Sequence, residues 1–538
     1  MVESFTAEER AALAPYVTNL DGPVFALTNL PEVVKGALFA RYSRSPKSLR
    51  RLLLDEFMKN GGDETSPPFP PRIARGDDTV PDAATQRAEQ LYERVFFEYG
   101  DDSVAQLGGV HLACEGASNI LTKVLEWGRL MAYLEQSTRY IPYDDQPGGH
   151  YRYHVPHELP ERLRARYVAT LDRVFDTYRV WLPRLRDFFA TRFPRADGDS
   201  DQVYRMTIRA KALDTLRGLL PAATTSNVGI FATGQAYEQL LLRMRAHSLA
   251  EVRDYADLML VELRKVIPAF LRRVDLPERG GAWSSYLAET REAVREVTEK
   301  LTGTTAADPR HEVTLVDFDP EGEVKVVAAA LYAASSLPDD QLLAIARGLS
   351  HEERLQILIA YVGKRANRRH RPGRAFERTA YRFDVLTDYG AFRDLQRHRL
   401  LTLEWQRLTP RHGYVMPVAV EEAGGREDWE RVMEDLARLH DAIADAGLPE
   451  AASYAVAMAY RVRFYMEMNA REAMHVIELR TAPQGHPAYR RVCQAMHRLI
   501  AERAGHRAIA AAMTFADHSE VALERLEAER AAERRRRS

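Results

Sequence analysis

The chain has 538 residues, more than one ordinary hydrophobic core accommodates, so the length predicts two or more domains. Hydrophobic residues make up 46% and charged residues 28%, a composition that is typical of globular proteins and excludes wholesale disorder. The formal net charge is −2, so the chain as a whole is not attracted to nucleic acid or acidic membranes.

The chain has two cysteines, Cys114 and Cys493, and neither lies in a C-x-x-C motif. Neither a disulfide framework nor a structural zinc site is therefore predicted, and we expect no other metal. The segment after Met1 is acidic and lacks the basic start and apolar run of a signal peptide. No run of about 20 uninterrupted apolar residues is present. We therefore expect a cytoplasmic protein without a membrane partner.

The first half of the chain is predicted to be mainly helical. Residues 24–28 are β-prone, and helix follows to about residue 60. Apolar residues at three- and four-residue spacing predict helix over 81–134, 158–190 and about 234–266. The polar segment 194–201 is predicted to be a surface loop.

A break in composition divides the chain. Segments 275–283 and 301–311 are rich in Pro, Gly and small polar residues, and a helix is predicted over 284–300 between them. The chain restarts at residue 312 with a predicted strand, a turn at 320–322 and a second strand that leads into a helix. The predicted organisation is module 1, linker, module 2 and charged tail: 1–275, 276–311, 312–520 and 521–538.

The tail is a charged helix that ends in four arginines and a serine. Two interpretations are open, a solvated chain end and a contact with nucleic acid. Because no aromatic residues are interleaved with the charges, the pattern favours the solvated end, and we do not expect a nucleic-acid partner.

Three pairs of similar segments recur in the same order in both halves, which indicates a duplication. Arg129 stands opposite Arg399 in the second pair, and Arg243 stands opposite Arg480 in the third. The pairs are 37–46 with 330–338, 125–140 with 395–414, and 239–267 with 475–500.

Three constellations could carry chemistry. In Arg397-His398-Arg399, two guanidiniums flank an imidazole, which suits an anionic ligand. The alternative is an exposed basic helix face. In segment 135–140, Ser137 and Arg139 could clasp one phosphate, while Glu135 would suit a ribose or a base N–H. The alternative here is an ordinary helix end with capping hydroxyls.

The third constellation runs from Asn469 to Arg480. On a helix, Asn469 and Arg480 share one stripe, and Arg471 and His475 share another. One helix would then offer polar groups to two neighbouring pockets. The alternative is a surface helix whose polar residues are already satisfied.

These patterns resemble the flavin-dependent thymidylate synthases, the ThyX family. The family signature is Arg-His-Arg, seven residues, then Ser-x-Arg, with a later Asn-x-Arg run that leads into Leu-x-Leu-Arg. The chain resembles two such modules in tandem. The resemblance implies an α/β (α+β) fold in which each module has a mainly antiparallel sheet flanked by helices. It also implies a homodimer that mimics the four-module assembly of the family, whose sites are shared between subunits.

The signature is divided between the copies. The first copy keeps Ser137, Arg139 and Glu135, but Trp127-Gly128 stands where Arg-His is expected. The second copy keeps the Arg-His-Arg triplet, but Arg407 stands where Ser is expected. In its later run the second copy has the residues of the family signature at Asn469, Arg471 and Arg480. His475 stands where the family usually has Asn.

The resemblance therefore implies a composite site for the reductive methylation of dUMP to dTMP. Methylenetetrahydrofolate would supply the carbon, reduced FAD the hydride, and NADPH would reduce the flavin. The implied catalytic residues are Ser137, Arg139 and Arg480, and the implied substrate-binding residues are Glu135, Ser137, Arg139 and Arg243. The implied FAD-binding residues are Arg397, His398, Arg399, Asn469, Arg471 and His475.

Two other functions stay open at this point. The split signature is compatible with a catalytically degenerate flavin- or nucleotide-binding protein that regulates or scaffolds. It is also compatible with a flavoenzyme that acts on another nucleotide or on uracil in RNA. A fold resemblance does not choose among these functions, because function resides in the site.

Overall fold

A computed structural model describes residues 4–42, 45–58, 106–303 and 305–537. The chain divides into two compact units. Unit 1 comprises Met1–Glu115, Leu130–Glu135 and Asn227–Thr304, and unit 2 comprises Gly116–Arg129, Gln136–Ser226 and Thr305–Ser538. The predicted modules follow the repeat in the sequence, whereas the units follow the packing: residues 136–226 of module 1 lie in unit 2 with module 2.

The first sheet has three strands in the order β1-β3-β2. These are β1 Gly109–Ser118, β2 Met131–Glu135 and β3 Thr225–Thr233. Most of this sheet lies in unit 1. The predicted helix over 81–134 is wrong for β1 and β2, and residues 81–105 lie outside the described residues. Within residues 106–134, which the structure describes, the α-helix is Asn119–Leu125. Pairing with β3 overrides the helical spacing of the apolar residues of β1 and β2.

Six α-helices are described in unit 1: Ala7–Leu13, Glu32–Tyr42, Leu49–Leu52, Gly234–Arg245, Ala250–Arg264 and Ala282–Thr302. The helix predicted over 234–266 is confirmed with one break, and the helix predicted over 284–300 is confirmed. The β-prone piece 24–28 is not a strand. Leu27 makes only an isolated bridge with Val17, a pairing too short to extend into a ladder.

The second sheet lies in unit 2 and has four antiparallel strands in the order β4-β5-β7-β6. These are β4 Val313–Phe318, β5 Ala380–Asp388, β6 Thr402–Trp405 and β7 Arg461–Asn469. The order β5-β7-β6 repeats the order β1-β3-β2 of the first copy, as a duplicated α/β module requires. The predicted second strand after the turn at 320–322 is wrong. Gly322–Tyr332 is a helix, in which Val324, Val327 and Ala328 are buried at helical spacing.

The described helices of unit 2 confirm the prediction over 158–190 as Glu161–Arg192, and residues 194–200 form the predicted loop. The others are Asn119–Leu125, Asp201–Leu216, Gly322–Tyr332, Asp339–Gly348, His351–Val362, Tyr389–Leu395, Val418–Glu422, Arg426–Asp445, Pro449–Ala452, Ala470–Arg480, Pro487–Glu502, Arg507–Ala511 and Leu526–Arg537. None of the described helices is long and apolar enough to cross a membrane.

The tail helix Leu526–Arg537 is held by an ion pair. Arg530 donates Nε and Nη2 to the two carboxylate oxygens of Asp199, at 2.6 and 2.8 Å. The tail is therefore attached to the loop before helix Asp201–Leu216.

Unit 2 contains a seam where the two sequence copies exchange backbone hydrogen bonds. We define this inter-copy seam as residues 218–223 and 454–459. Ala222 N donates to Val456 O at 2.8 Å, and Met458 N donates to Leu220 O at 2.9 Å. Each copy thus gives a donor and an acceptor at matching positions, so the repeat pairs with itself inside one compact unit.

Candidate functional site

The helix Ala470–Arg480 organises the site. It begins at the end of β7, where the Asn469 side chain accepts a 2.9 Å hydrogen bond from Glu472 N. Asn469 therefore caps the helix. The surface-helix interpretation fails, because Ala473 and Val476 are fully buried. Burial of this face fixes the directions in which Arg480 and its polar neighbours project.

His398 and Arg480 meet directly. Arg480 Nε donates to His398 Nε2 at 2.9 Å, and His398 Nδ1 lies 3.7 Å from Glu472 Oε1. The His398 side chain is only 5% exposed. Burial, reinforced by Arg480, lowers the pKa of His398 well below its ordinary value. A neutral imidazole that accepts from Arg480 at Nε2 carries its proton on Nδ1, toward Glu472.

Five guanidiniums surround Glu472 and His475; we call Arg368, Arg371, Arg399, Arg471 and Arg480 the arginine cluster. Burial raises the pKa of Glu472 to about 7, against the opposing influence of three of these arginines. Burial and the nearby arginines lower the pKa of His475 to about 4. Arg371 Nη2 lies 2.9 Å from His475 Nδ1. At neutral pH the cluster therefore carries a net positive charge that suits an anion.

The same place offers a possible metal trio. The ligand atoms of His398, Glu472 and His475 all lie within 4.8 Å of one another. However, His398 Nε2 accepts from Arg480 and His475 Nδ1 faces Arg371. The imidazole lone pairs are thus engaged by cationic donors, and the surrounding charge favours an anionic ligand over a cation.

Asp394 is a buried carboxylate that lies near three guanidiniums, including that of Arg480. Its carboxylate accepts from Arg397 Nη2 and, at 3.3 Å, from Arg217 Nη1. Arg480 Nη1 lies 3.8 Å from Asp394 Oδ1. Burial tends to raise the pKa of Asp394, but the surrounding positive charges hold this pKa well below its ordinary value. Asp394 is therefore a buried carboxylate that fixes the positions of guanidiniums.

Arg139 of the first copy is held by a second buried acid. Its Nε and Nη2 donate to the two oxygens of Asp214 at 2.7 and 2.6 Å. Its backbone N donates to Ser137 Oγ at 3.2 Å. Burial opposes ionisation of Asp214, but the bond from Arg139 keeps the pKa of Asp214 below its ordinary value. The pair is therefore ionic at neutral pH.

Tyr489 connects the residues of the two copies. Arg139 Nη1 donates to Tyr489 OH at 3.2 Å, and the guanidinium of Arg480 lies 5.4 Å from the centre of the Tyr489 ring. Ser137 and Arg139 therefore belong to the same network as Arg480 and His398, within unit 2.

The predicted site residues divide between the units. Nine lie in unit 2: Ser137, Arg139, Arg397, His398, Arg399, Asn469, Arg471, His475 and Arg480. Glu135 and Arg243 lie in unit 1. Glu135 is buried at the end of β2, opposite Val228. Arg243 lies on helix Gly234–Arg245, where burial lowers its pKa against the influence of Tyr133.

Sequence reasoning missed the acids that hold the arginines and the basic loop beside the cluster. Asp394 precedes Arg397 by three residues, a sequence spacing that favours an ion pair and could have revealed it. Segment 364–374 carries a dense run of basic residues that includes Arg371, and its charge was a readable signal. Asp214 and Arg217 had no local signal, because their partners are far along the chain.

Comparison with known proteins places the chain among relatives. The model of the family described as thymidylate synthase complementing protein matches residues 65–269 and 314–504, one region in each copy. The chain is 38% identical over 534 residues to a UPF0159 protein of Chlamydia pneumoniae, and the alignment covers 98% of both chains. It is 29% identical over 522 residues to a UPF0159 protein of Thermoplasma acidophilum, and that alignment covers 92% of this chain and 97% of the relative.

Two more distant similarities involve proteins with named activities. A flavin-dependent thymidylate synthase of Clostridium tetani is 25% identical over 178 residues, 32% of this chain and 66% of that protein. Among solved structures, the UMP/dUMP methylase PolB from Streptomyces cacaoi is 20% identical and has a TM-score of 0.29. That match spans 37% of this chain and 94% of PolB.

Proposed function

This chain belongs to the thymidylate synthase complementing protein family, with two family modules in tandem, and from that premise we propose that it reductively methylates dUMP to dTMP. The one-carbon donor in the proposal is methylenetetrahydrofolate, and NADPH supplies the reducing equivalents. A relative named as a flavin-dependent thymidylate synthase supports a flavin cofactor, for which we propose FAD.

The observation that carries the proposal is the joining of the copies at Tyr489. The first copy brings Ser137 and Arg139, and the second brings Arg480 with its partner His398. Each copy by itself holds part of the family signature. A single network that combines the parts supports one composite site for each chain.

The arginine cluster fits the cofactor. Several fixed guanidiniums beside a helix N-terminus suit the pyrophosphate of FAD, and a neutral His398 next to them adds no further charge. We propose that Arg371, Arg399 and Arg471 hold the phosphates, while His475 and Asn469 shape the adjoining surface. FAD, when bound, supplies hydride chemistry.

The residues of this chain would then position the substrate. Ser137 Oγ offers a hydroxyl, and Arg139 Nη1 is the end of that guanidinium not bonded to Asp214. We propose that both contact the phosphate of dUMP. Arg480, fixed by His398, would lie by the uracil carbonyls and stabilise negative charge that develops on the ring. Glu135 and Arg243 stay predicted partners of the substrate.

A second candidate rests on the Arg139–Asp214 pair. Arg139 is only 8% exposed, and two of its nitrogens are bonded to a buried carboxylate. This arrangement satisfies the guanidinium without a phosphate, and it favours a protein that binds a flavin or nucleotide without synthase activity. The two candidates differ in whether the protein turns over dUMP and whether that turnover depends on Arg139.

The test begins with the visible spectrum of the purified protein after addition of FAD and then dUMP. A composite site predicts that dUMP shifts the flavin bands, and that tritium is released from carbon 5 of labelled dUMP when NADPH and methylenetetrahydrofolate are present. Arg139→Lys and Arg397→Lys should each abolish release, while the surface variant Arg438→Lys should not. Flavin binding without any dUMP response would support the second candidate, and a colourless protein that ignores FAD would refute the flavoenzyme proposal.

A further inference from the structure

Unit 2 contains a cavity of about 530 Å³, a volume within the range of small-molecule sites. Its lining residues come from both sequence copies and from the tail. Phe193 belongs to the first copy, Met416 to the second and Ala522 to the tail. Gly218 and Ala459, which belong to the inter-copy seam, also line it. A molecule in this cavity would therefore contact both copies at once.

The cavity shares two residues with the network of the candidate site. These are Asp214, which accepts from Arg139, and Arg217, which donates to Asp394. None of the residues assigned above to FAD or dUMP lines the cavity. An inference about this cavity consequently does not rest on the proposed function.

The accessible part of the wall is largely apolar. Phe193, Met416 and Ala419 line the cavity and are only partly buried, so some of each side chain stays accessible. Among the other lining residues, Val418 is 69% exposed, whereas Trp429 is 2% exposed. The cavity therefore extends from the protein surface into the interior, and a ligand can enter it from solvent.

The charged groups of the wall are balanced. Three basic lining residues each bond to an acidic side chain: Arg192 to Glu422, Lys211 to Glu524 and Arg491 to Glu312. Burial lowers the pKa of His486 to about 3, so this imidazole is neutral, and burial raises the pKa of Asp388. A charged ligand would lose its hydration without gaining a free counter-charge from these groups. The wall therefore favours an uncharged ligand.

The larger apolar side chains of the wall favour an aromatic ligand. The ring centroids of Phe189 and Phe193 lie 6.3 Å apart, with the ring planes 22° from parallel. Trp429 adds a third ring and Met416 a thioether, and both groups make favourable contacts with aromatic rings. We propose that this cavity binds an uncharged aromatic molecule of two or three rings between the two copies.

Two probes with the same rings test the proposal. N-phenyl-1-naphthylamine is uncharged and fluoresces in apolar surroundings, whereas 8-anilino-1-naphthalenesulfonate carries an added sulfonate. In fluorescence titrations, wild-type protein should bind the uncharged probe with one site per chain, and the sulfonate should bind about 10-fold or more weakly. Absence of binding by the uncharged probe, or equal binding of the sulfonate, would overturn the proposal. Displacement of the probe by 1-dodecanol at equal affinity would assign the cavity to aliphatic chains and would also overturn it.

A filled cavity locates the bound probe. Ala419→Trp places a ring in the cavity and should lower the affinity for N-phenyl-1-naphthylamine about 10-fold or more. Ala293→Trp, on an exposed position of helix Ala282–Thr302, is the matched control and should leave the affinity unchanged.

Unchanged binding in a folded Ala419→Trp protein would place the probe elsewhere and overturn the proposal. Should that variant fail to fold, Met416→Glu introduces a charge at a loop position of the wall and should weaken binding of the uncharged probe by a similar factor. The comparison of the two probes needs no variant.

Discussion

Replacing Arg139 by Met should destabilise unit 2 strongly. The substitution removes both charge-assisted bonds to Asp214, a carboxylate that is 6% exposed. Breaking a buried ion pair by removing one partner costs about 3–5 kcal/mol, because the remaining charge is left in a medium of low polarity. Replacing both residues, Arg139→Met with Asp214→Leu, should recover most of this free energy of unfolding, since no unpaired charge remains.

The assay is guanidinium chloride unfolding followed by far-UV circular dichroism, with hydrogen exchange read at helix Asp201–Leu216. Arg438→Met, at an exposed helix position, is the matched control. The pH dependence adds a second check. Because the folded pKa of Asp214 lies below its ordinary 3.8, the stabilisation is present above that pH and is lost as the pH falls through the folded value. The difference between wild type and Arg139→Met should therefore shrink in acid.

If Arg139→Met unfolds at the wild-type denaturant concentration at pH 7, the buried pair contributes no stability and the reasoning is refuted. If the double variant is no more stable than Arg139→Met, the loss came from packing and not from the unpaired charge.

Three further outcomes are expected. The affinity for ADP, a probe of the arginine cluster measured by calorimetry, should fall about 3- to 10-fold from pH 6 to pH 8, because Glu472 with its pKa of about 7 gains a repelling charge. Glu472→Gln should make the affinity nearly independent of pH over this range. Arg371→Ala should weaken ADP binding about 10-fold. Arg374→Ala in the same loop, where the side chain is 85% exposed, should change ADP binding little, and equal effects of the two variants would contradict a specific contact of Arg371 with ADP. Burial raises the pKa of Cys114 to about 11 and of Cys493 to about 12, so neither thiol should react with Ellman's reagent at pH 8 before unfolding; rapid labelling would contradict their burial.

The fold followed from the sequence where local signals agreed with tertiary packing. Helix Glu161–Arg192 keeps one apolar stripe over its whole length, and periodicity located it. Strand β1 was missed because its apolar residues also fit a helical spacing, and its strand character comes from pairing with β3, more than 100 residues later. Segment 322–332 was misread because Val-rich runs are ambiguous between strand and helix.

The candidate site divides in the same way. Arg397, His398 and Arg480 could be named because their spacing carries a family signature. Asp214 and Arg217 could not be named from the sequence, because each acts on a partner that is distant in the chain and is brought close only by folding. Arg139 shows the limit most clearly: its motif position was readable, but its bidentate bond to Asp214 was not.

The inter-copy seam has a consequence for dilution. In an enzyme whose site is completed by a second subunit, the number of assembled sites falls when the protein becomes scarce, because subunits separate. Here the backbone bonds between Ala222 and Val456 and between Met458 and Leu220 join two stretches of one molecule. Their effective concentration is set by the covalent chain and not by the number of molecules in the cell. The pairing of the two copies should therefore persist at copy numbers at which separate subunits would come apart.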